Sequence, residues 1–384
     1  MRLLFVNYEY PPTGAGAATA TAEMAHSAAR HGHEVTVLTS AFGDDFGWSR
    51  DGEVTLRRVR SRRERADRSS LWEMASFVTR AALALPGVVR RSRAQACIVF
   101  FSLPCGPLGT LFRLISGRPY VVSLRGGDVP GTEPQLLGFH RWMRFVRRFV
   151  LSRAAAVVAN SPGLAALSES ADPIAVKIIP NGVDLERFRP SRQRPPEPFH
   201  FLFAGRLNEQ KNVGLLLEAI AESLRSANRP FRVSIVGDGP LRGSLRQRAT
   251  QLELDGVVDW VEWLPRGQMP AMYQSAHCVI NPSHYEGMPN VVLEAMACAV
   301  PVIVSNVAGN RDVVEDGNCG WVVAHDSCAA LVDAMAKALG EEAPLESLGA
   351  RARRYVEERY SWDSTTLQYI DLLARGAESE PSRS

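Results

Sequence analysis

The chain has 384 residues, 46% of them hydrophobic and 22% charged, with a formal net charge of +3. That is enough apolar material for a soluble globular protein with two domains of ordinary size. The longest apolar run, Ala295 to Val304, is about half of the ~18 residues that a membrane-spanning helix needs, and Leu3–Val6 behind Arg2 is too short for a signal peptide, so neither is expected.

From the amino end onward, short apolar runs alternate with longer helical patterns, the signature of βαβ units and parallel sheets. Leu3–Val6, Val35–Leu38, Ala96–Phe101, Tyr120–Ser123, Ala156–Ala159 and Val176–Ile179 read as buried strands of a first sheet. Pro190–Pro198 holds four prolines and reads as an interdomain linker. Beyond it, Phe201–Ala204, Val233–Val236, Val257–Trp260, Cys278–Asn281, Val302–Val304 and Trp321–Val323 read as a second series. The expected fold class is therefore α/β, with two doubly wound domains. From about Arg351 to Arg375 the pattern is helical and must pack outside the second sheet, and Gly376–Ser384 is polar and expected to be disordered.

Charge is unevenly spread along this frame. Residues 1–190 hold 25 Lys+Arg against 16 Asp+Glu, a balance of +9, which leaves 19 against 25, or −6, for the remainder. A basic half of that size fits anionic lipid headgroups, a phosphorylated acceptor or nucleic acid, and charge alone does not choose among them. Arg57–Arg68 is a run with seven arginines. Phe139–Arg153 alternates Phe139, Trp142, Phe145, Val146, Phe149 and Val150 with Arg141, Arg144, Arg147 and Arg148. On a helix this makes an apolar stripe beside a cationic face, which suits either a core-packed helix with a solvated basic side or a helix lying on anionic lipid. The six cysteines sit far apart, with no C-x-x-C pair and no histidine spacing for zinc, and read as free thiols of a reducing cytosol.

Ligands of doubly wound sheets bind outside the carboxyl ends of the strands, so strand-to-helix turns carry the candidate residues. Pro11-Pro12-Thr13-Gly14-Ala15-Gly16 follows the first strand and opens a helix from about Ala17 to Arg30. Gly14 and Gly16 would let backbone approach an anionic ligand at the helix start. A dinucleotide fingerprint fails there, because Thr19 stands where a third glycine is needed, and it fails again at Gly237-x-Gly239. After the first strand of the second series comes Gly205-Arg206, with Lys211 five residues on. A forked guanidinium and an ammonium on one turn suit a diphosphate, or are two solvated charges on a loop. The chain has 41 arginines and only three lysines, which sets Lys211 apart from background. In Asn281 to Glu294, Glu286 lies in a Gly/Pro loop and Glu294 one turn into the next helix. Carboxylates there can grip sugar hydroxyls while the Asn290–Val291 amides meet phosphate, although Glu294 equally fits a cap or a solvated helix residue.

Together, Gly205-Arg206 with Lys211, Glu286 with Glu294 at E-x7-E spacing, and Ile179-Pro180-Asn181-Gly182-Val183-Asp184 with Phe188 resemble the retaining family 4 glycosyltransferases. The likeness extends through Gly32-His33-Glu34-Val35, Gly237-Asp238-Gly239-Pro240, Pro301-Val302-Ile303 and Gly320-Trp321. It implies a GT-B fold: an acceptor-binding domain over residues 1–189, a donor-binding domain over 190–361, a cleft between them, and a last helix at about 362–376 crossing back. It further implies that Arg206 and Lys211 bind the donor diphosphate and Glu294 the ribose. Glu286 would face the transferred sugar with Gly205, Gly287, Met288, Pro289, Asn290 and Val291 around the donor, and Gly14 and Gly16 would close over the phosphates. Asp128, in Ser123-Leu124-Arg125-Gly126-Gly127-Asp128, is expected either to contact the sugar or acceptor or to cap its own turn. Ala15, Ala299 and Pro265 depart from the glycines common at those places. The implied partners are a nucleotide-sugar donor and a glycan or lipid-linked acceptor, with no nucleic acid, no metal and no cofactor; an anionic membrane surface is a further candidate partner on the basic residues of the amino-terminal half alone. The expected location is cytoplasmic, either free or, if Phe139–Arg153 lies on lipid, peripheral on the inner face of the cell membrane. The alternatives are an epimerase or hydrolase of the same superfold, or a silent sugar-nucleotide-binding partner.

Overall fold

The computed structural model describes residues 1–14, 16–61, 70–132, 137–191, 197–227, 229–340 and 345–378. Ala15, the Arg57–Arg68 run from residue 62 onward, most of the proline-rich stretch and the tail after 378 lie outside them. The chain divides into two compact units, one made of Met1–Gly182 with Trp362–Ser384 and the other of Val183–Ser361.

The first unit runs β1 (Arg2–Val6), α1 (Gly16–Arg30), β2 (Glu34–Ser40), β3 (Gly47–Asp51), β4 (Val54–Val59), α2 (Leu71–Ser92), β5 (Ala96–Phe100), α3 (Gly106–Ser116), β6 (Tyr120–Ser123), α4 (Leu137–Trp142), α5 (Arg144–Arg153), β7 (Ala156–Ala159), α6 (Pro162–Ala171) and β8 (Val176–Ile178). Its sheet has the order β3-β4-β2-β1-β5-β6-β7-β8, parallel except for β3. β1 and β5 are buried almost throughout because helices cover both faces, which is why they read as unbroken apolar runs. α2 starts with a reciprocal cap: Glu73 N donates to Ser70 Oγ while the Glu73 carboxylate accepts from Ser70 N. α2 packs on α3 and α3 on α5.

β3 and β4 are missing from the strands expected from sequence. They pair as a hairpin at the sheet edge, where Gly47–Asp51 is only partly covered and needs no apolar run. The expected helix over Phe139–Arg153 is also two helices, broken at Met143, which leaves the α-helical region at ψ 5°.

The second unit runs β9 (Phe199–Ala204), α7 (Val213–Ser226), β10 (Phe231–Val236), α8 (Arg242–Gln251), β11 (Val258–Val261), α9 (Met269–Gln274), β12 (Cys278–Asn281), α10 (Asn290–Ala297), β13 (Val302–Ser305), α11 (Ala308–Val313), β14 (Gly320–Val323), α12 (Cys328–Leu339) and α13 (Leu345–Arg359). Its parallel sheet has the order β11-β10-β9-β12-β13-β14. β9 shows the two-sided burial residue by residue: Phe199, Phe201 and Phe203 enter one core cluster, Leu202 and Ala204 the other. Each buried phenylalanine contributes roughly 2–3 kcal/mol. His200 sits among them, with Nδ1 donating to Ser275 O and Nε2 accepting from Ser234 Oγ, both at 2.8 Å. Burial pushes its pKa down to about 4.

The unit boundary falls ahead of the proline-rich stretch where the sequence placed it. Val183 N bonds Tyr360 O at 2.9 Å, and Val183 and Phe188 are buried in the second unit's core, so residues 183–189 belong there. After α13 the chain returns to the first unit as α14 (Trp362–Glu378). Trp362, Tyr369 and Leu373 enter that unit's core, and Tyr369 OH meets Ser123 Oγ at 2.6 Å. Among the described residues, no helix is long and apolar enough to cross a membrane.

Candidate active site

Strands are added to one side of β9 as far as β11, and then to its other side starting with β12, so the topology reverses between β9 and β12. Ligands of such sheets bind at that reversal, outside the carboxyl ends of the two strands. The turns after β9 and β12 carry the candidate cations and carboxylates.

After β9, Gly205 N donates to Val236 O and Leu207 N to Asp238 O, which fastens this turn to the one after β10. The two backbones touch: a Cβ on Gly237, at φ +143°, would lie 1.9 Å from Gly205 O, and one on Gly239 would lie 2.3 Å from Leu207 O. This contact explains the Gly237-Asp238-Gly239 spacing better than a dinucleotide does. Leu207 is fully buried and anchors the turn, and Asn212 takes the left-handed conformation at φ +50° before α7 begins. Lys211 ends the short turn Glu209–Lys211 just before this bend, and its side chain reaches the turn after β12.

Lys211 Nζ donates to Glu286 Oε1 at 2.5 Å, with side chains only 14% and 6% exposed. The same oxygen accepts from Ser283 Oγ at 2.8 Å and from Asn281 Nδ2 at 3.3 Å. Behind it, Asn281 Nδ2 donates to Asn310 Oδ1, and Asn310 Nδ2 donates to Ser305 O. The Glu286 loop is also held from outside. Gln210 Nε2 donates to Tyr285 O, His284 N donates to Gln210 O, and a Cβ on Gly309 would lie 2.5 Å from Glu286 O. Ser283, Asn281, Asn310, Ser305 and Gly309 were not singled out from sequence, and their only signal there is a cluster of short polar residues around two strand ends.

Glu294 projects from α10, and its Oε2 accepts from the phenol of the buried Tyr273 at 2.8 Å. No side chain caps the N-terminus of α10 at Pro289, which leaves that helix start favourable to an anion. Gly287 is exposed, with open space at its Cα, and Met288, Asn290 and Val291 are half-buried. Arg206 is half-buried on the same turn as Lys211. The turns thus bring Lys211 to Glu286 and place Arg206, Glu294 and the start of α10 at neighbouring strand ends. Ala299, one of the places where the resemblance leads to an expected glycine, takes φ +58°, the left-handed region that glycine adopts without strain.

In the first unit Gly14 has φ +89°, and a Cβ there would lie 2.7 Å from Glu9 Oε2, so the turn after β1 is closed over Glu9. Gly16 is the first residue of α1. Asp128 is turned inward: it is 2% exposed, Oδ2 accepts from Ser102 N at 2.6 Å and Oδ1 from Arg125 N at 2.9 Å. Burial raises its pKa and these donors oppose the rise. Its two carboxylate oxygens thus tie the loop after β5 to the loop after β6. Arg125 bonds Asn181 Oδ1 at 2.6 Å and stacks on Phe100.

Among the described residues one group has metal-ligand chemistry, His284, His325 and Asp326, with donor atoms within 4.8 Å of one another. It is solvent-facing, and Asp326 Oδ1 already accepts from Asn212 Nδ2 at 2.8 Å.

The family description "Glycosyltransferase Family 4" matches residues 14–187, and "Glycosyl transferases group 1" matches residues 184–355. Among curated proteins, D-inositol 3-phosphate glycosyltransferase of Gordonia bronchialis is 29% identical over 282 residues, covering 68% of this chain and 59% of the relative. The chain spans between 52% and 60% of the length of the first curated relatives it matches. Among solved structures, sucrose-phosphate synthase from Thermosynechococcus elongatus superposes with a TM-score of 0.82 at 19% identity, covering 98% of this chain and 99% of that one. Anabaena HepE, solved in complex with UDP and glucose, superposes with a TM-score of 0.76 at 18% identity, covering 98% and 100%. These likenesses establish the fold as GT-B.

Proposed function

This chain belongs to glycosyltransferase family 4, of the GT-B fold, and we propose that it moves a sugar, with retention, from a nucleoside diphosphate sugar to a hydroxyl of a glycan or lipid-linked glycan in cell-surface polysaccharide or glycoconjugate synthesis. The observation that carries the donor site is the Lys211–Glu286 pair at the reversal of the second sheet. A buried ammonium already held against a carboxylate is poised to be shared with a diphosphate, and Arg206 adds a second cation on the same turn. Glu294 binds the ribose hydroxyls, oriented by Tyr273, and Glu286 meets the hydroxyls of the sugar beside Gly287–Asn290. HepE, whose complex holds UDP and glucose, supports a donor of this class.

In the reaction the acceptor oxygen bonds to the anomeric carbon from the face the diphosphate leaves, and the bond from that carbon to the phosphate oxygen breaks. The acceptor proton passes to a leaving-group oxygen, while Arg206 and Lys211 take up the charge that develops on the diphosphate. No protein nucleophile and no metal enters this scheme.

Titration calorimetry with UDP, GDP, ADP and NAD against the wild type and Lys211→Ala tests the donor site. One nucleoside diphosphate should bind, and bind more weakly to the variant. Binding of NAD alone, or of nothing, would overturn the reading. Full donor turnover without any acceptor would instead identify an epimerase or hydrolase, and donor binding without turnover a silent partner.

A further inference from the structure

In the first unit, the neighbouring helices α2, α3 and α5 turn apolar side chains outward. Trp72 and Leu83 on α2, Leu114 on α3 and Phe145 on α5 are each 80–85% exposed, and Trp142 on α4 and Phe149 on α5 add to them. The placement is systematic. Trp72 and Leu83 are eleven residues apart, about three turns, opposite the buried stripe of Phe77, Ala81, Leu85 and Val88. Phe145 and Phe149 are one turn apart, opposite Arg147, Val150 and Leu151, which are the residues α5 buries. The apolar stripe of the sequence is therefore split: Val150 is buried beside an arginine, Arg147, ion-paired with Asp172, while Phe145 and Phe149 stay in solvent.

The charge around these side chains has one sign. Helices α2 to α5 carry nine arginines, no lysine and a single carboxylate, Glu73. Apart from the paired Arg147 these arginines are exposed or half-exposed, and Arg153 lies 4.8 Å over the Phe149 ring. Scattered apolar residues on a surface are ordinary, but aromatic residues set in an arginine field along three adjacent helices are not.

We propose that this face docks on an anionic lipid bilayer, with Trp142, Phe145, Phe149 and Leu114 entering the headgroup layer and the arginines meeting lipid phosphates. Charge complementarity selects this occupant. A symmetric dimer through the patch would set the same arginines against one another, whereas a bilayer offers negative charge and an apolar layer together. The inference goes beyond the transferase reading and does not depend on the donor site.

Vesicle co-sedimentation of the full chain tests it, with phosphatidylcholine alone and phosphatidylcholine mixed with phosphatidylglycerol. The wild type should bind the mixed vesicles and be released as salt rises to about 0.5 M. Phe145→Ser with Phe149→Ser should lower binding at least about tenfold. Arg144→Gln with Arg148→Gln should lower it about fivefold per arginine. Both variants should keep wild-type melting and nucleotide binding, so a failure here is separable from a failure of the donor site. Absence of wild-type binding to either vesicle, or binding that both variants retain in full, would overturn the proposal. So would a wild-type dimer that Phe145→Ser with Phe149→Ser dissociates while vesicles go unbound, since that would make the face a protein interface.

Discussion

Glu286→Gln keeps the shape of the side chain and removes its charge, and the geometry gives its effect on the donor nucleotide an unusual sign. Without ligand, Glu286 Oε1 holds Lys211 Nζ at 2.5 Å and two further donors, Ser283 and Asn281. A diphosphate must share that ammonium with the carboxylate or draw it away. Charge-assisted hydrogen bonds are about twice as strong as neutral ones, so an amide oxygen competes less well for the lysine. The pair is nearly buried, and solvent screening does little to soften the difference. Glu286→Gln should therefore bind the nucleoside diphosphate as tightly as wild type, or up to about tenfold tighter, while transfer falls away because the sugar loses its carboxylate partner. Lys211→Ala should instead lose a contact of roughly 1.5–3 kcal/mol, about a tenfold to hundredfold weaker affinity. Titration calorimetry reads both affinities, and thermal unfolding checks that each variant is folded. Equal weakening in the two variants would refute the argument, because Glu286 would then support the nucleotide rather than compete for Lys211.

Breaking the Arg147–Asp172 pair with Asp172→Ala should cost about 3–5 kcal/mol, since it leaves a buried guanidinium alone, whereas Arg147→Met with Asp172→Leu should recover most of the loss. A double-mutant melting series in which the pair of changes is as harmful as the single one would contradict this. His200 is neutral in the fold down to about pH 4 but is protonated below its ordinary value of 6.5 once unfolded. The unfolded state therefore binds the extra proton, and stability is present above pH 6.5 and declines as pH falls from there toward 4, by about 3 kcal/mol in all. Denaturant titrations of wild type and His200→Gln across that range should diverge, and parallel curves would remove His200 as the cause. Gly237→Ala puts a Cβ onto Gly205 O, so it should destabilise the second unit by more than about 2 kcal/mol and abolish nucleotide binding. A melting point within about 2 °C of wild type would count against that contact.

What could be read in advance follows from what each residue type can reveal by itself. Central strands such as β5 and β9 are covered on both faces, so burial writes them as unbroken apolar runs. β3 stands at the edge and is only partly covered, while β4 beside it buries Val54 and Leu56 but alternates them with Thr55 and Arg57, so a strand search by unbroken apolar runs passes over both. α5 stays undecided in the sequence for a different reason. Its buried face depends on Asp172, which belongs to the end of another helix, and no pattern within α5 contains that partner. The site divides in the same way. Lys211 and Glu286 stand out as charges at strand ends, but the oxygen-by-oxygen holding of Glu286 comes from Ser283, Asn281 and Asn310, small polar residues that look the same wherever they occur. Asp128 was legible as a turn residue, and only its two backbone donors show that it faces inward.

The first unit is discontinuous, because α14 follows the whole of Val183–Ser361. During synthesis its sheet and other helices leave the ribosome before the segment that carries Trp362, Tyr369 and Leu373 into its core. At common elongation rates of about 5–20 residues per second, the intervening unit takes roughly 10–40 s to emerge. Through that interval Ser123 has no Tyr369 to meet, and the apolar side chains that α14 covers stand open to solvent. The second unit, continuous in sequence, has no such wait. The nascent first unit is therefore the part of this chain that a chaperone would hold, and premature termination near Ser361 would spoil the earlier-made unit rather than the one just completed.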